Sequence, residues 1–97
     1  MNIERIKEME GHLNESTQAI AALGEQLDRM EALREPMTRL FDYYGSEAWY
    51  EDRDGELPEG VPAGVLSEDL VYDQITAARD AAFRMLELAT DILKNRI

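Results

Sequence analysis

The sequence predicts an all-α protein built from two long amphipathic helices. Apolar residues recur every seven positions in the N-terminal part of the chain, and at alternating steps of four and three near the C-terminus. The segment between them is rich in glycine and proline, which predicts a reversal of the chain. Two such helices joined by a reversing connector are typical of an antiparallel hairpin. We therefore expect one helical domain over residues 1–97, a length typical of a single domain.

The first helix is expected over about residues 3–34, with the apolar spacing of a coiled coil. One row of its heptad contains Ile6, Leu13, Ile20 and Leu27, and the second contains Met9, Leu23, Met30 and Met37. Pro36 lacks an amide hydrogen, so a kink is expected near it, followed by helix over about 36–45. Gly45 suits a left-handed cap at the end of that helix.

The second long helix is expected over about residues 68–96, after a connector at 46–66. Ser67 is a favourable N-cap, and Glu68 and Asp69 follow it where acidic residues suit the positive end of the helix dipole. Lys94 and Arg96 fall in the last turn, where cations are favourable. The apolar stripe of this helix contains Val71, Ile75, Ala78, Ala82, Met85, Ala89 and Ile92.

The unequal lengths of the two helices predict a homodimer. The second helix is too short to cover the N-terminal part of the first in a hairpin, so that part of the stripe needs another partner. The expected dimer interface contains Ile6, Met9, Leu13 and Ile20. A methionine- and leucine-rich stripe is usually core, and the alternative is a groove for a partner helix.

The charge distribution indicates what kind of partner the chain would bind. The net charge is −11, and residues 47–73 contain nine acidic residues and Arg53 as their only base. Such a field repels nucleic acid and anionic lipid, so we expect no direct binding to nucleic acid or membrane, and a basic protein as the partner. The N-terminus does not resemble a secretory signal, and no apolar run is long enough to span a bilayer, so a cytoplasmic location is expected.

The residue types needed for common catalytic and metal sites are scarce. The chain contains no cysteine, which excludes disulfides and thiolate zinc sites, and His12 is its only histidine. An EF-hand loop with Gly55 at its glycine position would place Tyr50 and Val61 at two ligand positions, so calcium binding is not expected. We expect no catalytic residues, no metal and no cofactor. An enzyme with a carboxylate-bound metal remains a minor alternative.

The aromatic residues concentrate beside the acidic ones. Residues 43–52, YYGSEAWYED, contain three of the four tyrosines and the only tryptophan. These aromatics are expected to form a local core, and the alternative is an exposed recognition surface. The expected partner site combines them with nearby acids and contains Tyr43, Tyr44, Trp49, Tyr50, Glu51, Asp52, Glu68, Asp69, Tyr72 and Asp73.

The stretches YYGSEAWYED at 43–52 and GVLSEDLVYD at 64–73 resemble motifs of a family of small bacterial proteins, domain of unknown function 4298. The resemblance covers nearly the whole chain and implies the helix–connector–helix architecture without implying an activity. The matching residues of the first motif are Tyr43, Tyr44, Ser46, Trp49 and Asp52. Those of the second are Gly64, Val65, Leu66, Ser67, Glu68, Asp69, Tyr72 and Asp73. If both motifs matter together, Trp49 and Tyr72 are expected to pack against each other.

These observations favour a non-enzymatic, homodimeric protein-interaction module. The alternative is an inhibitor that mimics nucleic acid and blocks a DNA-binding or RNA-guided protein, as phage decoys such as anti-CRISPR proteins do. Small size and a pI near 4.4 fit both hypotheses. They differ in charge geometry, because a mimic needs rows of acids over much of one face. Here the acids concentrate in the middle of the chain, and residues 74–97 contain four bases and three acids.

Overall fold

The computed structural model describes residues 1–95, and over that range all of its regular structure is helical. In chain order, α1 covers Ile3–Ala32, α2 Arg34–Tyr43, α3 Glu47–Asp54 and α4 Leu70–Asn95. One turn of 3₁₀ helix, Gly64–Leu66, lies between α3 and α4. The expected all-α class is therefore confirmed. Arg96, expected in the last turn of the final helix, lies outside the described residues.

The chain divides into two compact units, Met1–Met37 and Thr38–Ile97. The first unit contains α1. The second contains α3, the 3₁₀ turn and α4. The hairpin, the dimer and the single domain remain predictions.

Helix α1 is a long helix that buries none of its own residues. Asn2 caps its start, because its side-chain oxygen accepts a hydrogen bond from the backbone N–H of Arg5 at 3.0 Å. The four residues of the expected dimer interface are 45% to 67% exposed, with Ile6 at the lower limit and Ile20 at the upper. The heptad stripe is therefore accessible along α1.

The interruption expected near Pro36 lies three residues before it. Helix α1 ends at Ala32, Leu33 forms a turn, and α2 begins at Arg34. In a continuous helix the N–H of residue 36 would bond to the carbonyl of Ala32, but proline has no N–H and its ring would clash with that carbonyl. Pro36 instead occupies the first turn of α2, where neither problem arises.

The link between α2 and α3 contains a left-handed glycine and a serine cap. Gly45 has a φ of 76°, as expected for a helix-terminating glycine. Ser46 caps α3, because its hydroxyl accepts from the N–H of Trp49 at 3.3 Å and donates to the carbonyl of Tyr43 at 2.6 Å. Gly45 and Ser46 of the motif YYGSEAWYED therefore end α2 and begin α3.

Helix α4 begins two residues later than expected. The hydroxyl of Ser67 accepts from the N–H groups of Asp69 and Leu70, at 3.2 and 3.4 Å, so the capping role of Ser67 is confirmed. The bond from the N–H of Asp73 to the carbonyl of Asp69, at 2.8 Å, leads into the regular helix. Glu68 and Asp69 thus lie in the turn before α4.

The second unit has a small core. Trp49 on α3 and Val71 on α4 are its buried apolar residues, at 3% and 4% exposure. The 3₁₀ turn contacts both α3 and α4. Further half-buried residues of this unit are Leu40, Phe41, Tyr43, Tyr44, Ser46, Leu66, Ser67, Ile75 and Ala78. Within residues 1–95, no helix is both long enough and apolar enough to cross a membrane.

Replacing Gly45 by alanine is expected to destabilise the second unit by about 1 kcal/mol, because a side chain is strained at positive φ. Gly55→Ala is the matched control, since Gly55 has a φ of −80° and an added Cβ would lie 3.5 Å from its nearest neighbour. Urea unfolding followed by Trp49 fluorescence measures both. Equal free energies of unfolding for the two variants would contradict the prediction.

Candidate functional site

The indole of Trp49 is the centre of the aromatic segment. Its Nε1–H donates to the carbonyl of Val65 at 2.8 Å, which satisfies the polar group of a buried ring. The rings of Tyr44 and Tyr50 lie edge-on to the indole, with centroid distances of 5.2 and 4.9 Å. The core interpretation of Trp49 is therefore confirmed, whereas Tyr50 is 54% exposed.

Arg53 lies one helical turn after Trp49 and covers its ring. The guanidinium carbon is 5.2 Å from the indole centroid, within the range of a cation–π interaction. Its Nη2 is 2.7 Å from Oε1 of Glu68. Sequence reasoning did not select Arg53, although two signals were present. It is the only base in residues 47–73 and is four positions after Trp49 on a helix.

A groove of about 350 Å³ opens beside these residues, and we call it the Trp49 groove. Both sequence motifs contribute to it. Its lining consists of Tyr44, Gly45, Trp49, Tyr50, Arg53, Glu68, Asp69 and Tyr72. The hydroxyl of Tyr44 donates to the backbone carbonyl of Glu68 at 2.6 Å and so joins the two motifs directly.

A second groove of about 390 Å³, the Asp52 groove, is formed by the end of α2, by α3 and by residues 55–66. Its lining consists of Tyr43, Glu51, Asp52, Gly55, Glu56, Leu57, Val61, Pro62, Val65 and Leu66. The hydroxyl of Tyr43 donates to Oδ2 of Asp52 at 2.6 Å. This hydrogen bond, with smaller contributions from burial and from the negative charge of Asp52, raises the pKa of Tyr43 above its ordinary value of 10.0.

The structure distributes the expected partner-site residues between these two grooves. Six line the Trp49 groove: Tyr44, Trp49, Tyr50, Glu68, Asp69 and Tyr72. Three line the Asp52 groove: Tyr43, Glu51 and Asp52. Asp73 follows Tyr72 on α4. Trp49 and Tyr72 line the same groove, but Tyr72 was expected to pack on the indole and is instead 59% exposed. The rings that lie against the indole are those of Tyr44 and Tyr50.

The chemistry of the Trp49 groove suits cations. An indole, two exposed phenol rings and two carboxylates line one open space, and such groups attract positive charge by cation–π and ionic contacts. Within residues 1–95, no group of three or more histidine, aspartate or glutamate residues is arranged to hold a metal ion.

The fold and the grooves define a small acidic all-α protein in which two motifs, 43–52 and 64–73, are joined around one tryptophan. The chain belongs to the family described as Domain of unknown function (DUF4298), whose model matches residues 6–88. The matched range contains both motifs, which confirms the resemblance drawn from them. No curated protein and no solved structure matches the chain.

Replacing Asp52 by alanine is expected to lower the pKa of Tyr43 toward 10.0, because the carboxylate that holds the phenol proton is removed. In the native protein, Tyr43 therefore ionises at higher pH than an ordinary tyrosine. An NMR titration of ¹³C-labelled tyrosine rings measures the difference. Asp54→Ala, on the same helix, is the control and leaves the Tyr43 titration unchanged. An identical titration in native protein and Asp52→Ala would contradict the assignment.

Proposed function

We propose that the protein is a non-enzymatic interaction module of the bacterial cytoplasm. In this proposal α1 provides the dimer interface, and the Trp49 groove binds a basic protein partner. The observation that carries the proposal is the exposure of the heptad stripe on α1, a helix of 30 residues with no buried residue. The family membership is compatible with this role and names no activity.

An exposed heptad stripe favours association because a helix is only marginally stable alone and gains most of its stability from packing its apolar face. Each Å² of apolar surface removed from water contributes about 25 cal/mol. Helix α4 exposes further apolar side chains, including Phe83 and Leu86 at 65% and 64% exposure. A hairpin within the chain and a coiled coil between two chains would both cover such surfaces, and we propose that they occur together.

The acids of the Trp49 groove support a basic partner. Glu68 is 64% exposed at its side chain, and residues 47–73 have nine acids to one base. A negative field of this kind increases the rate at which positively charged proteins associate. Exposed tyrosines such as Tyr50 and Tyr72 belong to a residue type that often contributes most to interface energy.

The nucleic-acid mimic is the alternative function, and the exposed stripes make it the less favoured one. A mimic requires ordered acids over a broad face, whereas α1 and α4 each present rows of apolar side chains. Competition between the protein and DNA for a basic target, with a steep dependence on salt, would favour the mimic.

Dimerisation is expected to depend on the α1 stripe. The native protein is expected at twice 11.1 kDa by light scattering, and Leu13→Lys with Ile20→Lys is expected to shift it toward the monomer mass, because two charges would be buried in the interface. The matched control is Asn14→Lys with Gln18→Lys, which adds the same charge on the same helix outside the two heptad rows. A native protein that is monomeric at every concentration of a dilution series, including the highest, would remove the dimer from the proposal.

Capture of a partner is expected to depend on the Trp49 groove. Asp69→Lys reverses a charge that lines the groove and is expected to reduce the captured partner at least tenfold, measured by quantitative mass spectrometry after affinity capture from the native host. Asp80→Lys makes the same charge reversal on α4, outside the residues that line the groove, and serves as the control. Trp49 itself is unsuitable for this test because it is buried. Equal capture by both variants would exclude the groove as the partner site.

A further inference from the structure

We propose that the Trp49 groove recognises an arginine side chain of the partner, and that Arg53 occupies the same position in the free protein. The inference rests on the proposed binding of a basic protein partner. It adds the chemistry of the recognised group and a self-competition that regulates access to it. The inference is drawn from Arg53, which lines the groove and lies over the Trp49 ring.

The contacts of Arg53 demonstrate how the groove holds a guanidinium. One contact is the face of the Trp49 indole, 5.2 Å from the guanidinium carbon. The other is Oε1 of Glu68, 2.7 Å from Nη2, a distance typical of a charge-assisted hydrogen bond. A planar guanidinium can stack on a ring and donate to a carboxylate at the same time, whereas the compact ammonium of lysine does this less well.

The groove contains more acceptors than Arg53 uses in its ion pair with Glu68. Asp69, Tyr50 and Tyr72 line the same space, and the volume of about 350 Å³ lies at the lower end of clefts that bind small ligands. The carboxylate of Asp69 and the phenol oxygens can therefore accept hydrogen bonds from an incoming arginine. The negative charge of residues 47–73 attracts such a group.

Exchange of one guanidinium for another would preserve the core. The Trp49 indole is buried at 3% exposure, and the Arg53 side chain that covers one side of it is 40% exposed. If Arg53 left without replacement, part of the indole would be exposed to water. An arginine from the partner would restore that cover. Because solvent-exposed ion pairs and cation–π contacts are individually weak, Arg53 can be displaced, and it reduces affinity without preventing binding.

The experiment measures fluorescence anisotropy of two labelled, capped decapeptides, which contain three arginines or three lysines separated by glycine and serine. The arginine peptide is expected to bind the full-length protein more tightly than the lysine peptide. Arg53→Ala is expected to tighten arginine-peptide binding about threefold to tenfold, because the competing side chain is removed. Arg79→Ala removes the same charge from α4 and is the control for the change in net charge. Circular dichroism verifies folding, and Arg53→Gln replaces the alanine variant if that variant unfolds.

A second pair of variants tests the carboxylate. Glu68→Gln is expected to weaken arginine-peptide binding about threefold to tenfold, because the charge-assisted bond is lost. Glu56→Gln removes an acid that lines the Asp52 groove, and binding is expected to change little.

Three results would overturn the inference. They are equal affinity for the two peptides, equal effects of Arg53→Ala and Arg79→Ala, and no binding of the arginine peptide to either native protein or Arg53→Ala. None of these results would contradict a partner interaction that depends on Asp69, because the capture experiment does not require that the partner present an arginine. The failure of arginine recognition is therefore distinguishable from the failure of the proposed function.

Discussion

The hydrogen bond from the Trp49 indole to the Val65 carbonyl is the contact on which the second unit depends. A buried indole N–H without an acceptor would lose its hydrogen bond to water with nothing in return, and here the Val65 carbonyl is the acceptor that allows the ring to be buried. That requirement fixes the 3₁₀ turn against α3. The 3₁₀ turn also contacts α4, whose buried residue Val71 completes the small core.

Glu68 contacts the segment 44–53 through two independent groups. Its backbone carbonyl accepts from the Tyr44 hydroxyl, and its side chain pairs with Arg53. The carbonyl contact is independent of the identity of the side chain at 68, whereas the ion pair depends on it. The two contacts therefore use different atoms of Glu68, so loss of the ion pair would leave the hydrogen bond from Tyr44 to the backbone in place.

The elements were predictable from local sequence, and the pairing of side chains was not. Heptad spacing predicted α1, Gly45 predicted the end of α2, and Ser67 predicted the cap before α4, because each signal lies within a few residues of its effect. The sequence also predicted that aromatic and acidic residues of the two motifs would come together, as they do in the Trp49 groove. The ion pair between Arg53 and Glu68 and the 3₁₀ turn were missed, because both depend on the path of a connector that periodicity does not describe.

The hydrogen bonds of the second unit close loops of increasing length. Tyr43 to Asp52 spans 9 residues, Trp49 to Val65 spans 16, and Tyr44 to Glu68 spans 24 and encloses the previous one. The entropy lost in closing a loop rises with the logarithm of its length, and a loop already closed shortens the free chain in the one that encloses it. Closing the Trp49–Val65 loop therefore lowers the entropic cost of the Tyr44–Glu68 contact that encloses it.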